Sequence, residues 1–273
     1  MPEGKPSWRG LRRLALWRKI IASVGGGRTI PLKFLGKTIS KKNLKRARGA
    51  TLRGGLIALA LLVLSPIIGA VVYRFAPPPG TWTMLQRKLS GDVIHHPWAP
   101  LKEISPHLVR AVIAAEDSRF CLHKGVDIEA IEEAIEDNKN GGKRRGGSTI
   151  TQQTAKNVFL WQGGGWARKG LETYFTLVAE RIWGKRRTME LYLNVAEWGD
   201  GYFGAEAAAK ARFGKSAAAL TREEASLLAA VLPSPNKWRA VNPGPYVRAR
   251  AATIRKRMDV VRNERLDACV LGK

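Results

Sequence analysis

Three segments of the sequence decide how this chain is organised: EDSRFCLHKG at 116–125, GGSTITQQTAKN at 146–157 and RKGLE at 168–172. The first places two carboxylates directly after an apolar run with helical spacing. The second is polar and opens a helix after glycines, and the third places a carboxylate one helical turn beyond a basic residue. An acid, hydrogen-bonding groups and cations in this order predict a site that moves a proton while it holds an anion.

Helical spacing dominates the chain on both sides of these segments. Leu108, Val112 and Ala115 form an apolar stripe behind Ser105, a helix N-cap residue, and Pro106, which suits a first helical position. Further helices are predicted at 127–138, from Ser148 onward, and at 166–183, 188–198, 204–213, 221–232 and 246–267. Residues 81–104 are expected to be irregular or a short strand. We therefore predict an all-α domain over residues 105–273.

The glycine-rich, basic segment 141–147 predicts a mobile loop before the second motif. It is not a P-loop, because Gly147 stands where a P-loop has lysine and no apolar strand leads in. A weaker expectation remains, that a helix opening at Ser148 favours an anion through its free N–H groups. One face of this helix, suited to a sugar or phosphosugar or simply solvated, is expected to hold Thr149, Gln152, Gln153 and Lys156.

Residues 56–73, LIALALLVLSPIIGAVVY, form an uncharged apolar run. Because about 20 apolar residues span a bilayer core, we predict a transmembrane helix over 56–76. Pro66 is compatible with it, since membrane spans tolerate proline. A buried core helix is the alternative, which is disfavoured because soluble helices seldom run this long without a charge.

The charge on either side of the span predicts its orientation. Residues 1–55 hold 15 Lys or Arg against one Glu, whereas the ten residues after the span, APPPGTWTML in 76–85, are uncharged. The basic side is retained in the cytoplasm. We therefore predict a single-pass inner-membrane protein with a basic cytoplasmic tail at 1–55, a linker and membrane-proximal segment at 77–104, and a periplasmic catalytic domain.

The net charge of +25 predicts anionic partners. Much of this charge lies in residues 1–55, so that segment is the first place to look for them. The leader WRGLRRLALWRKII, at 8–21, is basic and imperfectly amphipathic. It is expected either to lie on anionic membrane lipid or to be a solvated tail. Charge alone does not support nucleic acid, so none is predicted as a partner. Cys121 and Cys269 do not make a disulfide framework and are expected to be buried thiols.

In their order, these segments resemble the motifs of the peptidoglycan glycosyltransferases, the family also found at the front of bifunctional penicillin-binding proteins. The resemblance includes YLN at 192–194 and GAEAAAKARFGK at 204–215. It covers most of residues 100–240, and no Lys-Thr-Gly of a transpeptidase half is present. The resemblance implies a stand-alone transferase with a lysozyme-like fold, which polymerises lipid-linked disaccharide-pentapeptide (lipid II) into β-1,4 glycan strands.

The chemistry of that reaction assigns roles to particular residues. A sugar hydroxyl displaces a diphosphate with inversion, so a carboxylate must accept the hydroxyl's proton, and Glu116 suits this role of general base. Fixed cations are needed for the departing diphosphate. Glu172 matches the family's second functional glutamate, although its spacing from Arg168 alone indicates a surface salt bridge. The expected substrate-binding residues are Ser148, Thr149, Gln153, Lys156, Asn157, Arg168 and Lys169.

Other polar residues are expected to be structural. Asp117 is predicted to cap or brace the loop, and His123 to form structural hydrogen bonds. His95, His96 and His107 lack partners at metal-binding spacing, so no metal site is predicted. We expect no required cofactor, and a divalent cation, magnesium or manganese, at the diphosphate is left open.

The expected partners are lipid II, the growing glycan chain, membrane lipid and other cell-wall synthases. Trp82, Leu85 and Trp98 are predicted to form an apolar surface near the span. Two other classes of function were weighed. A lysozyme-like lytic glycosidase needs no cations for a diphosphate, and a non-catalytic membrane scaffold of cell-wall assembly needs no base. The set of motifs disfavours both.

Overall fold

The computed structural model describes residues 41–139 and 147–272, with side chains from 49 onward except that of residue 138. The basic leader at 8–21 and most of the glycine-rich loop at 141–147 lie outside this part. By its contacts the chain divides into two units, 1–56 and 57–273. The described part of the first unit is helical.

The described residues contain ten α-helices in chain order. Their bounds are α1 Lys41–Phe75, α2 Trp82–Leu89, α3 Pro106–Glu116, α4 Ile128–Lys139, α5 Ile150–Phe159, α6 Trp166–Val195, α7 Ala205–Phe213, α8 Arg222–Val231, α9 Pro245–Asn263 and α10 Ala268–Leu271. Within this part, extended pairing is limited to two isolated bridges, His95 with Tyr202 and Glu197 with Phe203. The predicted all-α fold class is confirmed.

Helix α3 is the centre of the main hydrophobic core. Its apolar residues extend almost all round the helix, and a helix of that kind must be buried. It packs against α8 and α9, and Leu108, Val109 and Ile113 are fully buried. As predicted, Ser105 caps its start by accepting a hydrogen bond from the His107 N–H, and Pro106 opens it. The helix ends at Glu116, so a rigid, buried element carries the first acidic residue of the motif.

A second hydrophobic cluster joins α5 and α6 to the C-terminal part of α1. Gly69 of α1 lies against the ring of Phe159, and a Cβ at this position would be 2.8 Å from the Phe159 Cε1 atom. The Trp183 Nε1–H donates to the Ala70 carbonyl at 2.8 Å. Residues Gly49–Phe75 form one helical stretch that is long and apolar enough to cross a membrane. This is compatible with a single-pass anchor, and the helix continues through Pro66.

The structure differs from the predicted helix assignments at residues 82–89, at Gly184 and at the end of the C-terminal helix. Residues 82–89 are helical, because the Thr81 hydroxyl caps the segment and Met84 is buried beneath it. The two helices predicted around 166–198 form one element, α6, with a break at Gly184, where φ is +65°. The C-terminal helix ends at Asn263, before Arg265, which has φ of +57°.

The expectation of buried thiols is wrong, because Cys121 and Cys269 form a disulfide with a Cα–Cα distance of 5.6 Å. Their distance in the sequence gave no indication that α10 folds back to the loop after α3. Two polar contacts anchor this C-terminal segment: Arg110 pairs with Asp267 at 2.7 Å, and Arg186 donates to the Val270 carbonyl at 2.6 Å. The bond therefore ties the loop that follows Glu116 to the end of the chain.

Replacing both cysteines by serine should lower the free energy of unfolding by about 2–4 kcal/mol, because the bond restricts the unfolded chain. Unfolding of the detergent-solubilised full chain, with and without reductant, measures this effect. Reductant should destabilise the wild type and leave the double variant unchanged. Titration of free thiols in the unreduced, denatured wild type should find none, and two reactive thiols would contradict the bond.

Candidate active site

Glu116 lies at the wall of a cleft of about 790 Å³. The cleft is bounded by the end of α3, by α4, by the start of α5 and by α9. The Glu116 side chain is 14% exposed, so it is neither in a dry core nor free in solvent. A partly desolvated carboxylate that opens onto a cavity is the arrangement expected of a group that exchanges a proton with a bound molecule.

Two side chains hold the Glu116 carboxylate from opposite sides. The Gln153 Nε2–H donates to Oε2 at 3.1 Å, and Arg250 Nη2 lies 3.8 Å from Oε1. Gln153 is itself fixed, because the Tyr192 hydroxyl donates to its Oε1 at 3.4 Å. Burial raises the pKa of Tyr192 well above its usual range, which keeps that hydroxyl a donor. The orientation of the carboxylate is therefore set by a chain of hydrogen bonds.

The environment of Glu116 makes it a stronger base than an ordinary glutamate. Burial raises its pKa, while the hydrogen bond from Gln153 and the charge of Arg250 lower it in part, and nearby Asp117 raises it. Because burial dominates, the net shift is upward. A carboxylate with a raised pKa accepts a proton more readily near neutral pH.

Asp117 braces the site, as predicted. Its Oδ1 and Oδ2 atoms lie 3.1 Å and 3.0 Å from the His123 Nε2. Oδ2 also accepts the backbone N–H of Ile150 at 2.9 Å. Asp117 thus joins the loop after α3 to the first turn of α5. The helix predicted to open at Ser148 begins at Ile150, and the Ile150 N–H already donates to the Asp117 carboxylate. The expected anion site at Ser148 is therefore wrong.

Thr149 and Gln152 turn inward instead of facing the cleft. They form a capping box in which the Thr149 hydroxyl accepts the Gln152 N–H and the Gln152 side chain accepts the Thr149 N–H. The Thr149 hydroxyl also donates to the Gly125 carbonyl at 2.6 Å, and both side chains are buried. The expectation of one continuous polar face is therefore wrong, and Thr149 shapes the start of α5 with no free hydroxyl proton.

His123 is structural in its contacts. Its Nδ1 accepts the Gly125 N–H at 3.2 Å, and its Nε2 faces Asp117. Atoms of Asp117, His123 and Asp127 lie within 4.8 Å of one another. Asp127 is also engaged, since it accepts the Ala130 N–H at 3.0 Å and pairs with Arg119 at 3.3 Å. All three side chains thus already form hydrogen bonds or ion pairs within the protein.

A group of charges around Glu172, here called the cation cluster, consists of Lys156, Arg168, Lys169 and Glu172. Glu172 is only 4% exposed, and Arg168 Nη1 lies 2.5 Å from its Oε2. Lys169 pairs with the other oxygen. The surface salt bridge indicated by the spacing is therefore a buried one. Breaking such a pair costs far more than breaking an exposed one.

Lys156 completes the cluster without an ion pair among the described residues. Burial lowers its pKa most, the charge of Glu172 raises it, and Arg168 and Lys169 lower it further. Both carboxylate oxygens of Glu172 are occupied by the other two cations. The Lys156 ammonium is consequently a half-buried positive charge, and the nearby Glu172 carboxylate is already paired with Arg168 and Lys169.

Ser148 and Gln153 connect the cluster to the cleft. Both line the cleft with Glu116. The Lys169 Nζ donates to the Ser148 Oγ at 3.4 Å, and Lys156 follows Gln153 by one turn of α5. Asn157 lies next to them and accepts a hydrogen bond from Gln162 at 3.1 Å. The start of α5 and Ser148 therefore link Glu116 to the cation cluster.

Arg250 and Arg257 are cleft residues that the sequence reasoning missed. Both lie on α9, which the sequence indicated only as a basic C-terminal helix. They are seven residues apart, and residues at this spacing share one helix face. The seven-residue spacing could have indicated that the two arginines share a face, but α9 contains many other basic residues, so this pair did not stand out.

Comparison with known proteins gives the family. Residues 84–259 match the family described as Transglycosylase. The chain belongs to the transglycosylase family. The matched segment contains Glu116, the cation cluster and both cleft arginines.

Relatives named "Biosynthetic peptidoglycan transglycosylase" match most of the chain. One from Rhodospirillum centenum is 54% identical over 229 residues, which cover 84% of this chain and 96% of that protein. One from Caulobacter vibrioides is 52% identical over 220 residues, covering 80% of this chain and 96% of the relative. One from Pseudomonas aeruginosa is 50% identical over 206 residues, covering 73% and 89%. The transglycosylase family and these relatives agree with the resemblance found in the motifs.

Replacing Arg250 by alanine should raise the pKa of Glu116, because it removes the nearby positive charge that favours the ionised carboxylate. Carboxyl ¹³C NMR titration of the full chain measures this, with the Glu116 signal assigned by its loss in Glu116→Gln. Arg255→Ala, which removes an arginine of α9 paired with exposed Glu223, is the control and should leave the titration unchanged. An unaltered or lowered Glu116 pKa in Arg250→Ala would show that the two groups do not interact.

Proposed function

We propose that this transglycosylase polymerises lipid-linked disaccharide-pentapeptide into β-1,4 glycan strands of peptidoglycan, with Glu116 as the general base. The observation that carries the proposal is the oriented, partly buried Glu116 carboxylate in a cleft that Ser148 and Gln153 link to the cation cluster. Proton removal and anion binding are the two tasks that transfer from a sugar diphosphate requires. The names of the relatives support peptidoglycan as the product.

The proposed reaction joins two lipid-linked sugars with inversion at C1. The 4-hydroxyl oxygen of the acceptor sugar forms a bond to C1 of the donor, while the bond between C1 and the diphosphate oxygen breaks. The hydroxyl proton moves to the Glu116 carboxylate. The bonding electrons leave with the polyprenyl diphosphate, so charge builds up on that group in the transition state.

Lys156, Arg168 and Lys169 are proposed to receive this developing charge. The main support is Lys156, which has no ion pair among the described residues and is half-buried, so its charge is weakly screened. Cations fixed before the reaction need no reorganisation when the charge develops. A glycosidase that transfers a sugar to water has no diphosphate to stabilise, so it does not call for this cluster.

Glu172 is proposed to hold the cations in place. A carboxylate beside a departing diphosphate would repel it, but both oxygens of Glu172 are neutralised by Arg168 and Lys169. The same contacts argue against a divalent ion held by Glu172, since they leave no carboxylate oxygen uncommitted. Ser148, Gln153 and Asn157 are proposed to hydrogen-bond the sugars or their phosphates.

The proposed location is the inner membrane, with the N-terminus in the cytoplasm and the catalytic domain in the periplasm. Helix α1 supports the anchor, and the Cys121–Cys269 bond supports an oxidising compartment for the domain. Trp82 and Leu85 are exposed, as an apolar surface near the bilayer requires. Trp98 is partly buried under the Arg187 guanidinium, 5.3 Å from its ring centroid, and does not belong to that surface. Other cell-wall synthases remain predicted partners.

Replacing Glu116 by glutamine should lower the rate of glycan polymerisation by about 10²–10⁴-fold, the usual contribution of a positioned general base. Glutamine keeps the shape and can still bond Gln153 but cannot take the proton. The assay gives purified full chain lipid-linked disaccharide-pentapeptide and measures polymer formed. Glu103→Gln, which changes an exposed carboxylate outside the cleft, serves as the control. An undiminished rate in Glu116→Gln would remove the proposed base.

Replacing Lys156 by methionine should lower kcat/KM by about 10²-fold or more, because the diphosphate loses a fixed cation. Folding stability should be unchanged or higher, since the substitution removes a buried charge without an ion pair of its own. Activity and thermal unfolding are measured on the same preparation, with exposed Lys102→Met as control. Wild-type activity in Lys156→Met would exclude this lysine, and parallel loss of activity and stability would indicate a structural role.

A further inference from the structure

A second cavity lies at the surface where the turn after α8 meets the start of α9. Its volume is about 420 Å³, and it shares no lining residue with the cleft that contains Glu116. The side chains that matter for its chemistry are those of Lys237, Trp238, Arg239, Asn242, Tyr246 and Val247. The proposed reaction uses none of these residues.

Two aromatic rings form one wall of this cavity. Trp238 is anchored, because its side chain packs against the main core and its backbone N–H donates to the Ser234 carbonyl at 2.9 Å. Tyr246 projects from the first turn of α9 and is 59% exposed. The ring centroids are 5.0 Å apart with an angle of 53° between the planes. An anchored aromatic ring with a second ring beside it suits the C–H face of a sugar ring while the polar atoms of the rings stay in water.

Two cations stand beside the aromatic wall. Lys237 and Arg239 are exposed, and neither has an ion-pair partner in the part of the chain that the structure describes. The turn that presents them is held in shape, since Arg248 Nη1 donates to the Pro243 carbonyl at 2.6 Å. Unpaired ammonium and guanidinium groups next to an apolar face fit a ligand that carries carboxylates.

The cavity and the cleft share two segments, the turn before α9 and α9 itself. On α9, Val247 lines the cavity and Arg250 lines the cleft, only three residues and about 4.5 Å of helix rise further along. In the preceding turn, Pro233 lines the cleft and Lys237 lines the cavity. A chain of sugars that leaves the cleft along the start of α9 therefore reaches the aromatic wall.

We propose that this cavity is a subsite for the glycan strand, which binds sugars and the acidic peptide stems they carry outside the reacting pair. The inference rests on the proposed function, because peptidoglycan is a strand of amino sugars whose peptides bear carboxylates. The aromatic rings contact the sugars, and Lys237 and Arg239 contact the carboxylates. A strand held at a second point stays at high effective concentration near the cleft.

Binding of a soluble peptidoglycan tetrasaccharide with its peptide stems tests the subsite directly. The detergent-solubilised full chain is titrated and compared with Tyr246→Ala, which changes an exposed residue and leaves the core intact. We expect at least tenfold weaker binding in Tyr246→Ala, and the same in Trp238→Ala if that variant folds. Equal binding by wild type and Tyr246→Ala would overturn the proposal.

A tetrasaccharide of N-acetylglucosamine, which has no carboxylate, separates the two parts of the subsite. The wild type should prefer the peptide-bearing fragment, and Lys237→Ala/Arg239→Ala should lose this preference. Lys256→Ala/Arg262→Ala removes the same charge from exposed positions of α9 outside both cavities and should retain it. Loss of the preference in both double variants would show a general charge effect and would contradict specific contacts.

Strand length distinguishes this inference from the proposed function. With lipid-linked substrate, Tyr246→Ala should consume substrate within twofold of the wild-type rate while releasing strands at most half as long. Glu116→Gln should make no polymer yet bind the soluble fragment like the wild type. Strands of wild-type length from Tyr246→Ala would contradict the subsite but would not affect the proposal that Glu116 is the base. If the wild-type protein made no polymer, the proposed reaction would be wrong, while the binding result would still hold.

Discussion

The Glu116 carboxylate is held at the boundary between the hydrophobic core and the cleft, and the proposed chemistry depends on this placement. Helix α3 is buried by α8 and α9 and ends at Glu116, so the side chain leaves the core at a fixed point. Burial raises its pKa, and Gln153 and Arg250 keep it oriented and able to ionise. Without those two contacts, the same burial would favour the neutral acid, which cannot accept a proton.

The first turn of α5 connects this base to the cations. Asp117 accepts the Ile150 N–H and Thr149 accepts the Gln152 N–H. Further along the same helix, Gln153 donates to Glu116, and Lys156 interacts with the charge of Glu172. The buried pairing of Glu172 with Arg168 and Lys169 then organises the charges that a diphosphate would meet. Glu116 therefore lines the cleft, and the positive charge around Glu172 is linked to that cleft through Ser148 and the start of α5.

Patterns within the sequence were sufficient for much of the fold. Local chemistry predicted α3 and the apolar helix, through the stripe from Leu108 to Ala115, the capping residue Ser105 and the uncharged run after residue 55. Features that join distant segments were not predictable in this way. The Cys121–Cys269 bond, the contact of Asp117 with the Ile150 N–H, the burial of Glu172 and the placement of Arg250 all depend on how the helices pack.

The pH dependence of chain elongation tests the central claim most directly. Single-turnover rates with bound lipid-linked substrate are measured from acidic to neutral pH, under conditions in which the protein stays folded. The account predicts a rate that rises with pH as one group loses its proton, with a midpoint above the ordinary pKa of a glutamate side chain. A rate independent of pH over this range, or a midpoint below that ordinary value, would contradict a buried glutamate acting as the base.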